Sequence, residues 1–142
     1  MSTTRAALVV LGALVVGCST QRPLRPLRVA ATESGGDFEF GLGEPVQAVT
    51  CVLRDHRRAP SDPASVHVIW AAKCTEGPDC PRSVRYGDRA LATSTPAVPL
   101  APSEQGFCYV CVLVAEGGRG QVSFRVSPQG AFEQCQPRVG DL

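Results

Sequence analysis

From Asp37 onward, apolar side chains mostly recur at every second position, the period of a β-strand, and no amphipathic helical spacing stands out. In D-F-E-F-G-L, Phe38, Phe40 and Leu42 share one face. Q-A-V-T-C-V-L-R follows, and S-V-H-V-I-W-A-A places Val66, Val68 and Trp70 on one face with His67 on the other. S-V-R-Y is a short strand. G-F-C-Y-V-C-V-L-V is apolar on both faces, as a central strand covered on both sides would be. Q-V-S-F-R-V turns Val122, Phe124 and Val126 inward, and A-F-E-Q-C adds a last short strand. E-G-G-R-G and S-P-Q-G between these runs read as turns. Many short strands punctuated by Gly and Pro predict an all-β sandwich or barrel. The 12 prolines of the chain suit loops better than helix interiors.

The first residues follow a different pattern. Arg5 precedes an apolar stretch, residues 6–16, of signal-peptide length and short for a bilayer span. It closes on small residues at Val15-Val16-Gly17-Cys18. This arrangement resembles a bacterial lipoprotein signal peptide with its lipobox, over residues 1–18. The resemblance implies cleavage of residues 1–17 and acylation of Cys18. Several acyl chains on one residue anchor stably, where one chain binds only marginally. Ser19 follows the cysteine instead of Asp, which by the sorting rule of enteric bacteria implies the outer membrane. The expected address is therefore the bacterial cell envelope, an oxidising setting that permits disulfides. Without Arg5 the basic and acidic residues are equal in number, so charge points to no nucleic-acid partner.

Residues 18–36 read as the lipidated end and a tether. R-P-L recurs with period three, which would put Arg22, Arg25 and Arg28 on one face of a polyproline II helix. Such a segment serves as a semi-rigid spacer, or as a basic stripe against anionic headgroups. Ser34-Gly35-Gly36 reads as a flexible joint, and residues 37–142 as one β domain.

Six of the 7 cysteines remain once Cys18 is assigned to lipid: Cys51, Cys74, Cys80, Cys108, Cys111 and Cys135. An even remainder in an exported chain predicts three disulfides, and six cysteines allow about 15 pairings. Cys74 and Cys80 flank the turn-rich T-E-G-P-D and should pair locally. Cys108 and Cys111, three apart on a strand, should point to opposite faces. T-C-V-L, V-I-W, Y-V-C-V and G-G-R-G-Q-V-S-F-R-V resemble strands B, C, F and G of an immunoglobulin-like domain, with Trp70 between two cysteines and Tyr109 two residues before the second. The resemblance covers about residues 45–127 and implies a Cys51–Cys111 bridge packed on Trp70 between two sheets. That pairing leaves Cys108 for Cys135. The sequence departs from the pattern at Gln105, where an acidic residue is usual, and in a long gap from Cys51 to Trp70.

Candidate chemistry is sparse. C-Y-V-C, Cys108 and Cys111, has redox spacing, but the reactive dithiol of that type lies at a helix N-terminus and this one sits mid-strand. Joined with Cys74 and Cys80 it could supply four thiolates to zinc, against competition from oxidation. His56, in the charged run Arg54-Asp55-His56-Arg57-Arg58, and His67 read as surface histidines. The proline-rich segment 93–103 reads as a long surface loop. No phosphate loop, nucleophile elbow or paired carboxylates are present. The reading is a membrane-anchored, non-catalytic lipoprotein with a β-sandwich interaction module, a protein partner and no cofactor. The alternative is a redox or metal-binding protein using Cys108 and Cys111.

Overall fold

The computed structural model describes residues 25–135. These form strands β1 (Arg25–Leu27), β2 (Ala30–Ser34), β3 (Asp37–Gly41), β4 (Ala48–Asp55), β5 (Val66–Lys73), β6 (Ser83–Arg85), β7 (Ala92–Thr95), β8 (Phe107–Ala115), β9 (Gly118–Val126) and β10 (Phe132–Gln134), with two short 3₁₀ turns and no α-helix. Seven strands make a large sheet in the order β1-β9-β8-β4-β5-β7, with β10 also paired to β9. A small sheet runs β2-β3-β6. Apart from the parallel pair β1–β9, all pairings are antiparallel. The architecture is an all-β, disulfide-bonded sandwich of two sheets.

The alternating pattern builds the core between them. Phe38 and Phe40 of β3 and Val84 of β6 meet Tyr109, Cys111 and Leu113 of β8 and Phe124 of β9. The Phe124 ring sits in the middle, 5.7 Å from Phe40, 5.4 Å from Tyr109 and 4.4 Å from Phe132 between centroids. Burying a side chain such as Phe40 or Phe124 stabilises by about 1.5–3 kcal/mol.

Five expectations change. The folded part does not begin near Asp37: β1 and β2 carry residues 25–34 into the sheets. Pro26 fits there because β1 is an edge strand, where a missing N–H costs no ladder bond. Arg25 is held by Glu44 at 2.8 and 3.0 Å, so it belongs to no free basic stripe; Arg22 lies outside the described residues. Gly35 and Gly36, with φ of 60° and 86°, are not a loose joint but the two-residue turn of the β2–β3 hairpin, a turn that requires positive φ at both positions.

The strand order is not the immunoglobulin one. β4 and β8, the counterparts of strands B and F, are neighbours in one sheet, with Cys51 opposite Cys111. In the immunoglobulin arrangement that bridge crosses between sheets. Finally, Val68 does not share the Trp70 face. Cys51 pairs with Trp70 but Val52 pairs with Val68, so Ile69 is an inserted bulge residue that reverses the alternation. Trp70 is fully buried while Val68 is 42% exposed.

Candidate functional site

The register of β4 against β8 assembles the one cluster of potential metal-ligating side chains found among the described residues. β4 ends at Asp55, opposite Phe107, and Arg54 lies opposite Cys108. The chain then turns, and the His56 N–H donates to the Gly106 carbonyl at 2.7 Å. This brings the His56 ring over the start of β8, its Nδ1 3.7 Å from the Cys108 sulfur. Cys135 arrives from the other side. It follows β10, and its N–H donates to the Ser123 carbonyl of β9 at 3.3 Å. Its Cα lies 6.2 Å from that of Cys108, to which it is disulfide-bonded. Two strand spacings would be about 9.5 Å, so the chain past β10 bends across β9 towards β8. The donor atoms of His56, Cys108 and Cys135 all lie within 4.8 Å of one another. Both sulfurs belong to buried residues, and His56 is half-buried.

The loop carrying His56 is fixed by its neighbours. The buried Asp55 carboxylate accepts from the Arg57 backbone N–H at 3.0 Å, from Arg57 Nε at 2.9 Å and from its Nη2 at 3.1 Å. Arg58 Nε stands 3.5 Å from the second carboxylate oxygen. Hydrogen bonds from the Arg57 side chain outweigh burial and hold the Asp55 carboxyl at a pKa of about 2, below the usual 3.8. The Arg57 guanidinium lies over the Phe107 ring, 4.5 Å from its centroid. A small hollow beside this loop is lined by Leu53, Ala101, Ser103, Phe107 and Tyr109.

The other singled-out residues lie elsewhere. Cys51 and Cys111 are bonded to each other and fully buried between the sheets. Cys74 and Cys80 form a local bridge with Cα atoms 5.8 Å apart. Cys108 and Cys111 therefore belong to separate bridges on opposite faces of β8 and make no dithiol. Nor can they join Cys74 and Cys80 around zinc. Cys74 follows Lys73, which pairs with Ala48, whereas Cys108 pairs with Arg54 at the far end of β4. That separation is about six strand residues, roughly 20 Å. His67 is exposed on β5. Cys18 lies outside the described residues.

Tyr109 does more than fill the core. Its hydroxyl donates to the Ala101 carbonyl at 3.0 Å and accepts from the Ala101 N–H at 3.2 Å. Tyr86 donates to the Val98 carbonyl at 2.6 Å, and burial raises its pKa. The segment 93–103 thus begins in β7 and is then strapped down by two tyrosines. Sequence reasoning missed the joining of His56 to Cys108 and Cys135, because that contact depends on strand register between residues far apart in the chain. Compared with known protein families, curated proteins and solved structures, the chain matches none.

Proposed function

We propose that the protein is a membrane-anchored envelope lipoprotein, exported, cleaved before Cys18 and held by acyl chains on that residue. Its β-sandwich acts as a non-catalytic module that engages a protein partner in the envelope, with the outer membrane as its address. The observation that carries this reading is the use of cysteine. Six of the 7 cysteines lie in three disulfides, Cys51–Cys111, Cys74–Cys80 and Cys108–Cys135. That is the economy of an oxidising compartment. The cysteine left over is Cys18, the residue that the lipobox resemblance assigns to lipid. The charged groups of the β4–β8 end support a binding role over acid–base work, since Asp55 is engaged by Arg57 and Arg58.

The test is membrane fractionation of a bacterium expressing the full chain, with mass spectrometry of the N-terminal peptide. The expected result is a membrane-bound protein whose first residue is an acylated Cys18, and a Cys18→Ser variant released from the membrane or left uncleaved. An unmodified Cys18 in a soluble mature protein overturns the anchor. In-membrane crosslinking should then recover a defined protein partner; a monomer with no crosslinked partner overturns the interaction module.

A further inference from the structure

We propose that Cys108, Cys135 and His56 form a redox-gated site for one soft cation, copper(I) or zinc(II), which the disulfide occupies in the oxidised protein. Three separate elements supply the donors: the turn after β4, the first residues of β8 and the chain past β10. Their ligand atoms already lie within 4.8 Å of one another. Around a shared metal, bonds of 2.0–2.3 Å would place such atoms roughly 3.5–4 Å apart. The His56 Nδ1 to Cys108 Sγ distance is 3.7 Å. Two thiolates and an imidazole are the donor set that favours soft and borderline metals over magnesium or calcium.

Occupation requires reduction. An exported dithiol, such as a thiol–disulfide oxidoreductase, supplies the electrons. One of its thiolates attacks the Cys108–Cys135 bond to give a mixed disulfide, and its second thiol resolves that intermediate. The dithiol leaves as a disulfide, and Cys108 and Cys135 remain as thiols. The cation then displaces the two thiol protons and is held by both sulfurs and the His56 ring. In this state the metal replaces the covalent bond as the clip between β8 and the chain past β10. The other two bridges are unlike this one. Among the described residues, neither the Cys51–Cys111 bridge nor the Cys74–Cys80 bridge joins a group of three donors. The inference stands apart from the lipid anchor and survives its failure.

The experiment uses the purified full-length mature chain, reduced anaerobically with a phosphine and titrated with zinc(II) or with copper(I) delivered from a bicinchoninate complex. Alkylation mass spectrometry identifies the free cysteines, and circular dichroism checks the fold. The expected result is one cation per chain, with Cys108 and Cys135 protected from alkylation by the metal. His56→Gln should weaken binding by about 10- to 100-fold, the range seen when even an outer ligand partner is lost. A Cys74→Ser/Cys80→Ser variant should bind unchanged, and Cys108→Ala/Cys135→Ala should not bind. Protection at Cys74 and Cys80 instead, an affinity indifferent to His56→Gln, no uptake of either cation, or unfolding once the Cys108–Cys135 bridge alone is opened each overturns the proposal. The zinc and copper(I) arms decide which cation the site prefers.

Discussion

Cys51 and Cys111 face each other directly across β4 and β8, with Cα atoms 4.1 Å apart, so their bridge ties two neighbouring strands of one sheet. The bridge closes a span of 60 residues, against 27 for Cys108–Cys135 and 6 for Cys74–Cys80. By loop-closure entropy the three should contribute about 4, 3.5 and 2 kcal/mol. Replacing each pair by alanine should lower the urea midpoint in that order. A Cys74→Ala/Cys80→Ala variant that loses as much stability as Cys51→Ala/Cys111→Ala would contradict the entropic account.

Asp55 gives stability a pH signature. Its folded pKa of about 2 lies below the ordinary 3.8. A depressed carboxylate contributes stability that is present above its unfolded pKa and is lost as pH falls through the folded one. The wild-type urea midpoint should therefore drop between pH 4 and pH 2, and Asp55→Asn should flatten that drop while lowering stability near neutrality. Parallel curves for the two proteins would remove Asp55 from the explanation.

Gly120 tests whether the N-terminal residues are docked. A Cβ at this position would stand 2.6 Å from Val29 Cγ2, 2.7 Å from Leu42 Cδ2 and 3.0 Å from the Leu27 carbonyl oxygen. The backbone oxygen cannot swing aside as a side chain can. Gly120→Ala should cost about 1–3 kcal/mol by overpacking. Hydrogen exchange should show residues 25–29 losing protection first. A neutral effect would mean that β1 does not lie against β9.

Tyr109→Phe removes both hydrogen bonds to Ala101 while keeping the ring in the core. The expected loss is about 1–2 kcal/mol, the net worth of two modest hydrogen bonds. Limited proteolysis should then cut within residues 96–103 faster than in the wild type. Unchanged cleavage would show that the strap is held by Tyr86 and backbone contacts alone.

The alternation in D-F-E-F-G-L and Q-V-S-F-R-V made the core positions Phe38, Phe40 and Phe124 readable, because a strand with one buried face leaves a period of two in its side chains. The run V-H-V-I-W misled, since a single bulged residue reverses the faces and the apolar Ile69 hides it. R-P-L-R-P-L read as a spacer because an edge strand needs few ladder bonds and leaves little trace in side-chain pattern. The Cys51–Cys111 pair illustrates the gap between contact and architecture. The resemblance that suggested it implied a bridge between sheets, whereas the residues meet through register inside one sheet. The cluster at His56 was illegible for the same reason: 52 residues separate it from Cys108, and strand pairing alone makes them neighbours.

The parallel pairing of β1 with β9 gives the molecule a direction. The Arg25 N–H donates to the Gly117 carbonyl, so the chain enters the sheet at the β8–β9 turn. On the lipoprotein reading, only residues 18–24 separate the acylated Cys18 from that point, at most about 25 Å when fully extended. The sandwich is then mounted with its β8–β9 turn towards the bilayer. The strand β8 runs roughly 27 Å from that base to Phe107. On that reading the exposed Arg57 and Arg58 of the His56 loop stand at the opposite pole, facing away from the membrane, with Cys108 and Cys135 buried just beneath them.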